Sequence, residues 1–145
     1  MNPEDDVKPG DARPVVRTHC VFVIEEDEVT RAALQFMLPG GNETYEMADI
    51  ASVLPLGRQR PPDLILVGES VIVRNTRALL HQLRAVWPDL KCLVICESGD
   101  DECQAAARAV GADDTLTRPF KPEVVRRKVD GLLGSLVPWT GAVQA

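Results

Sequence analysis

Aromatic side chains are scarce in this chain, with three Phe, two Trp and one Tyr among 145 residues, so little ring surface is on offer to a flat cofactor. An excess of positive charge is also missing. The 16 Lys and Arg are outnumbered by 22 Asp and Glu, giving a formal net charge of -6, which disfavours a nucleic-acid backbone or an anionic membrane as the main partner. Long hydrophobic runs are absent. The longest, CVFVI (20 to 24) and CLVIC (92 to 96), fall far short of the ~20 residues that span a bilayer. The opening MNPEDDVKPGDARP is acidic and Pro-rich and has no apolar signal region, so the expected location is cytoplasmic. CxxC spacing is missing too. Cys20, Cys92, Cys96 and Cys103 lie mostly in or beside apolar runs, which predicts reduced core thiols in place of a disulfide or zinc framework.

What the chain does contain is an alternation. Residues 1 to 17 mix Pro3, Pro9 and Pro14 with charges and show no periodicity, the pattern of an arm without fixed structure. From Val21 onward, short β-branched runs alternate with amphipathic segments. Strands are expected at 21–24, 43–48, 63–67, 92–96 and 115–117, with helices near 28–38, 75–87, 101–110 and 122–133 and a cramped segment with Pro55 at 50–57. Strands that are apolar throughout and separated by helices indicate a parallel, doubly wound α/β sheet. Five strands suit the order 2-1-3-4-5, with the first and last helices on one face and the others opposite. The domain is placed at 18–134, followed by an apolar tail at 135–145.

In such a sheet the working site lies beyond the carboxyl ends of the strands. No GxGxxG or GxxxxGK[ST] follows any strand, which leaves a dinucleotide or a P-loop nucleotide without its backbone cradle. Ser70 has no GxSxG setting, and His19 and His81 lie away from the strand ends, so triad hydrolysis is not indicated. The edge is instead acidic: Glu25, Glu26, Asp27 and Glu28 follow the first strand, Gly68 and Glu69 the third, Cys96 and Glu97 the fourth, and Arg118 the fifth.

Three segments, VFVIEEDEVTR (21–31), PPDLILVGES (61–70) and VGADDTLTRPFKPEVV (110–125), resemble the receiver domains of bacterial response regulators, and with their spacing the resemblance covers roughly residues 20–133. It implies a flavodoxin-like receiver fold. In that family an acidic pair after the first strand binds magnesium, an Asp ending the third accepts phosphate, a Thr or Ser ends the fourth, and a Lys before Pro ends the fifth. Carried onto this chain, the acidic pair is Glu25 and Glu26, the phosphoacceptor position is Gly68, the Thr/Ser position is Cys96, the Lys position is Arg118, and the aromatic switch position is Thr115. The Arg118-Pro119 bond resembles a Lys-Pro bond that is commonly cis.

These departures have chemical consequences. An acyl phosphate needs a carboxylate nucleophile, and glycine offers none. Glu69 is expected to point away from the pocket, since neighbouring strand residues face opposite sides. With one ligand lost, the octahedral shell of magnesium should be poorly held. No metal and no cofactor are therefore expected, and no catalytic residue. The planar fork of Arg118 is expected to close on Glu25 or Glu26, in the electrostatic place of metal and Lys. Cys96, ringed by acids, is expected to be an unreactive thiol.

The expected function is that of a stand-alone, phosphorylation-independent receiver, a non-enzymatic module for two-component signalling that binds a signalling protein, a histidine kinase-type partner or a second copy. A receiver with a non-standard acceptor such as Glu69 is the alternative, and a flavodoxin-like small-ligand binder is a third. About a dozen residues follow the last helix, too few for a DNA-binding output domain. The candidate interface is the first helix. Leu34, Met37 and Leu38 with Val29, Ala33 and Phe36 form an apolar arc of about 200°, wider than one sheet face covers, and Trp139 in the tail is a candidate cover or contact.

Overall fold

A computed structural model describes residues 18–75, 78–99 and 101–134. The predicted arm at 1–17 and the tail at 135–145, with Trp139, lie outside the described residues. Five strands, β1 (Cys20–Ile24), β2 (Glu43–Met47), β3 (Leu64–Gly68), β4 (Lys91–Cys96) and β5 (Asp114–Thr117), pair in parallel in the order β2-β1-β3-β4-β5. Every residue of β1 and β3 is buried. Their continuous apolar runs, CVFVI and LILV, therefore match a position with helices on both faces.

Among the described residues six α-helices flank the sheet: α1 (Glu28–Met37), α2 (Val53–Gln59), α3 (Glu69–Arg74), α4 (Leu79–Val86), α5 (Asp101–Ala109) and α6 (Pro122–Leu133). Leu34 and Leu38 with Val125 and Val129, from α1, its C-cap and α6, close one core over Val21, Val23, Leu64, Leu66, Leu93 and Ile95. Val53, Val71, Leu80, Leu83, Cys103 and Ala107, from the four other helices, close the second over Phe22, Ile24, Ile65 and Val94. The order and the division of helices follow the sequence expectation.

Local signals explain the boundaries. Asp27 caps α1 by accepting the Thr30 N–H, and Pro122 occupies the first turn of α6, where its missing N–H costs nothing. Gly134 ends α6 at φ 64°, a left-handed conformation that favours glycine. Pro55 sits in the first turn of α2, preceded by a 3-10 turn at Ile50–Ser52, so the cramped segment is helical.

Two expectations need correction. The helix placed at 75–87 begins at Leu79, and a separate helix, α3, occupies 69–74, where a loop was expected. Its sequence ESVIVR buries only Val71, too short a stretch for periodicity to register. On α4 Leu80 and Leu83 are buried with Leu79 and Trp87 packed beside them, while Val86 is 51% exposed. Arg84 on the same helix lies half buried and donates to the carbonyls of Leu90 and Gly111 and to Asp113. No helix among the described residues is long and apolar enough to cross a membrane.

Candidate functional site at the carboxyl edge

The parallel strands deliver Glu25, Gly68, Cys96 and Arg118 to one edge of the sheet. Glu25 directly follows β1, where its N–H donates to Met47 O and its own carbonyl accepts from Arg31 at 2.7 Å. Its side chain turns inward and is buried, with Oε2 accepting the Asp27 N–H at 2.7 Å. Gly68 closes β3 beside it. A Cβ built on Gly68 would meet Glu25 Oε1 well inside van der Waals contact and Cδ at 3.1 Å. The backbone there, φ -65° and ψ 148°, is open to any residue, so the glycine matters for space and not for conformation.

Electrostatics agree with this inward position. Burial pushes the Glu25 carboxyl above the ordinary Glu value, the Asp27 N–H opposes the shift, Glu97 and Asp27 add to it, and Arg118 weakly opposes. Asp27 is spent differently. Thr30 donates to it through both its hydroxyl and its backbone N–H, and these bonds hold its carboxyl below the usual range.

Arg118 does not close on the acidic pair as the sequence suggested. Its Nε donates to Glu97 at 2.9 Å, its Nη2 donates to the Thr30 hydroxyl, and its guanidinium lies 5.1 Å from the Phe120 ring centroid. Glu26 instead pairs with Arg74 at the end of α3. The cause is the unforeseen helix, which brings Arg74 over the edge, while Glu97 offers Arg118 an exposed partner without further burial of charge. The Arg118-Pro119 bond is cis, in accord with the resemblance.

Glu69 departs from expectation too. It opens α3 instead of continuing the strand, and its Oε1 accepts the Glu97 N–H at 3.1 Å, so it stays on this edge. Thr115 is buried, and Lys128 donates to its carbonyl at 2.6 Å. Beside Thr115 lies a shallow cleft of about 180 Å³ bordered by Gln104, Arg108 and Asp113.

The largest correction concerns the cysteines. Cys20 and Cys92 are free and buried, as expected, but Cys96 and Cys103 form a disulfide. Cys96 ends β4 and Cys103 lies on the buried side of α5, and the strand-loop-helix connection brings their Cα atoms to 6.0 Å. A Cys-x6-Cys spacing across a β-α junction was the available signal. Oxygen and sulfur atoms of Glu69, Cys96 and Cys103 lie within 4.8 Å of one another, yet sulfurs joined in a disulfide are not thiolate ligands.

A family model for the response regulator receiver domain matches residues 21–130. The chain belongs to this family. Among curated proteins it is similar to the response regulator MprA of Mycolicibacterium vanbaalenii, 27% identical over 123 residues, covering 84% of this chain and 53% of that protein. It is likewise 27% identical over 126 residues to the probable transcriptional regulatory protein TcrX of Mycobacterium tuberculosis, covering 86% and 52%. The chain thus spans about half the length of the curated relatives it matches. Its fold resembles that of the signal receiver domain of an HD domain-containing protein from Pseudomonas fluorescens, with TM-score 0.73, 18% identity and coverage of 86% and 93%. It also resembles a CheY-like receiver domain protein from Methanospirillum hungatei, with TM-score 0.69, 17% identity and coverage of 81% and 95%.

The magnesium ion associated with receivers does not fit these residues. Gly68 supplies no oxygen ligand from a side chain, the buried Glu25 carboxyl is held by the Asp27 N–H, Glu26 is paired with Arg74, and Asp27 is engaged by Thr30. A hard divalent cation needs several free carboxylate oxygens and water within reach.

Proposed function

We propose that this receiver works in two-component signalling without aspartyl phosphate, as a protein-binding module whose pocket is filled by its own side chains. The observation that carries this reading is the position of Glu25 against Gly68: the strand end that would present a nucleophile bears none, and a neighbouring carboxyl takes up the space. Two carboxylates in one buried place repel, so the pair Glu25 and Gly68 is consistent as it stands. Glu69 supports the alternative acceptor poorly, because its carboxylate is engaged by the Glu97 N–H.

A binding module needs a surface. On α1, Val29 and Phe36 are 76% and 78% exposed and, seven residues apart, lie on one stripe about 10 Å in length. Ala33 lies half buried between them. This stripe starts four residues after Glu25 and suits a helix of a histidine kinase-type or other signalling protein, or a second copy. The net negative charge makes nucleic acid a poor partner, and the reading places the chain in the cytoplasm with no catalytic activity of its own. Incubation with acetyl phosphate and magnesium, followed by intact mass, tests the chemistry. No phosphoryl mass is expected, and a stoichiometric gain of one phosphoryl group overturns the reading.

A further inference from the structure

Helix α5 meets the sheet through small side chains. Its sequence DECQAAARA buries only Cys103 and Ala107, two small side chains, where α1, α4 and α6 bury Leu or Val. Small residues contribute little apolar area, so the bond from Cys103 to Cys96 adds a covalent hold to a light packing. That bond also sits at the charged edge. Cys96 is followed by Glu97, whose carboxylate takes the Arg118 guanidinium and whose N–H is held by Glu69. The connecting residues Glu97, Ser98 and Gly99, with Asp101 and Glu102 at the start of α5, are exposed, so opening of this short segment would bring the sulfurs to solvent.

We propose that Cys96 and Cys103 form a reversible thiol-disulfide modification site, closed by a small-molecule disulfide and opened by a dithiol, that sets how firmly α5 is held to the sheet. In the closing direction each cysteine sulfur gives up one proton and one electron as the S–S bond forms. The oxidant, R–S–S–R, takes both electrons and both protons and leaves as two R–SH. A dithiol reverses the exchange and becomes the disulfide itself.

The chain's other thiols stay out of this chemistry. Cys20 and Cys92 are buried in strands, and burial pushes their thiols up to about 11 and about 12, so they hold almost no nucleophilic thiolate at neutral pH. In reducing compartments a disulfide is usually transient and sensing. A pair at the loop before a lightly anchored helix is well placed for that role, because local opening is inexpensive there.

The test uses the intact chain equilibrated with oxidised glutathione or with dithiothreitol. Alkylation after denaturation should count the two thiols of Cys20 and Cys92 in the oxidised protein and all four cysteines after reduction, with a Cys96–Cys103 peptide recovered only from the former. Amide hydrogen exchange over α5 should quicken by roughly tenfold or more on reduction, while α1 and α6 stay unchanged. Cys103→Ser should exchange at the reduced level in either buffer; because that variant could fail to fold, the comparison of the two redox states of the unaltered chain decides. Failure of glutathione disulfide to form the link overturns the proposal. So does a link that is reduced only after denaturation, or equal α5 exchange in both states.

Discussion

The carboxyl group of Glu25 occupies the space that a side chain on Gly68 would need, with Glu25 Cδ 3.1 Å from the place of a Gly68 Cβ. The two positions are 43 residues apart in sequence and adjacent in space because β1 and β3 pair in parallel, with Ile24 opposite Val67. Gly68→Ala should therefore force the Glu25 carboxyl aside and loosen its bond from the Asp27 N–H. The obstructing atoms are the end of a movable side chain, so the cost should be roughly 1 kcal/mol, the low end of overpacking. Urea denaturation of Gly68→Ala, Glu25→Ala and the double variant measures it. The double variant should be more stable than the sum of the single effects predicts, by about 0.5 kcal/mol or more, and strict additivity would show that the two residues do not share space.

Glu25 also links the pocket to pH. Its folded pKa is raised, chiefly by burial, so between the ordinary Glu value and that raised value the native state holds the proton more tightly than the unfolded chain does. Stability supplied by this group is full below the ordinary value and is lost as pH rises through the folded value. Glu25→Gln should remove that loss. Melting temperatures followed from the carboxylate range to neutrality should converge for the two proteins at the acid end, and the variant should be at least as stable at neutral pH. An unaltered protein that gains on the variant as pH rises would contradict the assignment.

Arg84 fastens the entry to β4 to the loop before β5 through Leu90 O, Gly111 O and Asp113. Arg84→Ala should cost about 1–2 kcal/mol, a charge-assisted contribution reduced by partial exposure. Arg84→Lys should recover less than half of it, because an ammonium cannot span three acceptors held in a planar fork. Chemical denaturation gives both values.

The contact stripe on α1 calls for a separation of folding from association. Phe36 is 78% exposed, so Phe36→Asp should change stability by no more than roughly 0.5 kcal/mol. If the stripe is a contact between copies, light scattering should show the intact chain as a dimer and this variant as a folded monomer. Truncation after Gly134 adds the tail to the test: association that appears only in the truncated chain would make residues 135–145 an internal cover. An oligomer unchanged by either alteration would move the contact face to α5 and α6, where Arg108, Arg126 and Arg127 are exposed.

The parallel sheet and its order were legible because burial on both faces writes itself into continuous apolar runs such as LILV at 64–67. The strand ends, in turn, bring Glu25, Gly68, Cys96 and Arg118 to one edge, as their positions in the sequence imply. Partner choice within that edge was not legible. Arg118 had several acids in reach, and its pairing with Glu97 instead of Glu25 depends on side-chain direction and on α3, a six-residue helix too short to show a period. The Cys96–Cys103 bond was hidden for a related reason. Cys96 reads as the last residue of an apolar strand and Cys103 as one small residue of a helix face, and only the β4–α5 turn brings them together.

The central claim, that Glu25 is a buried plug beside Gly68 and not a cation ligand, is tested most directly by following the Glu25 side-chain carboxyl carbon by NMR. The resonance should titrate above the ordinary Glu range and stay unmoved when millimolar magnesium is added at neutral pH. A resonance that titrates at the ordinary Glu value and shifts to saturation with magnesium would contradict the account, because it would mean that the carboxylate is ionised, accessible and available to a metal.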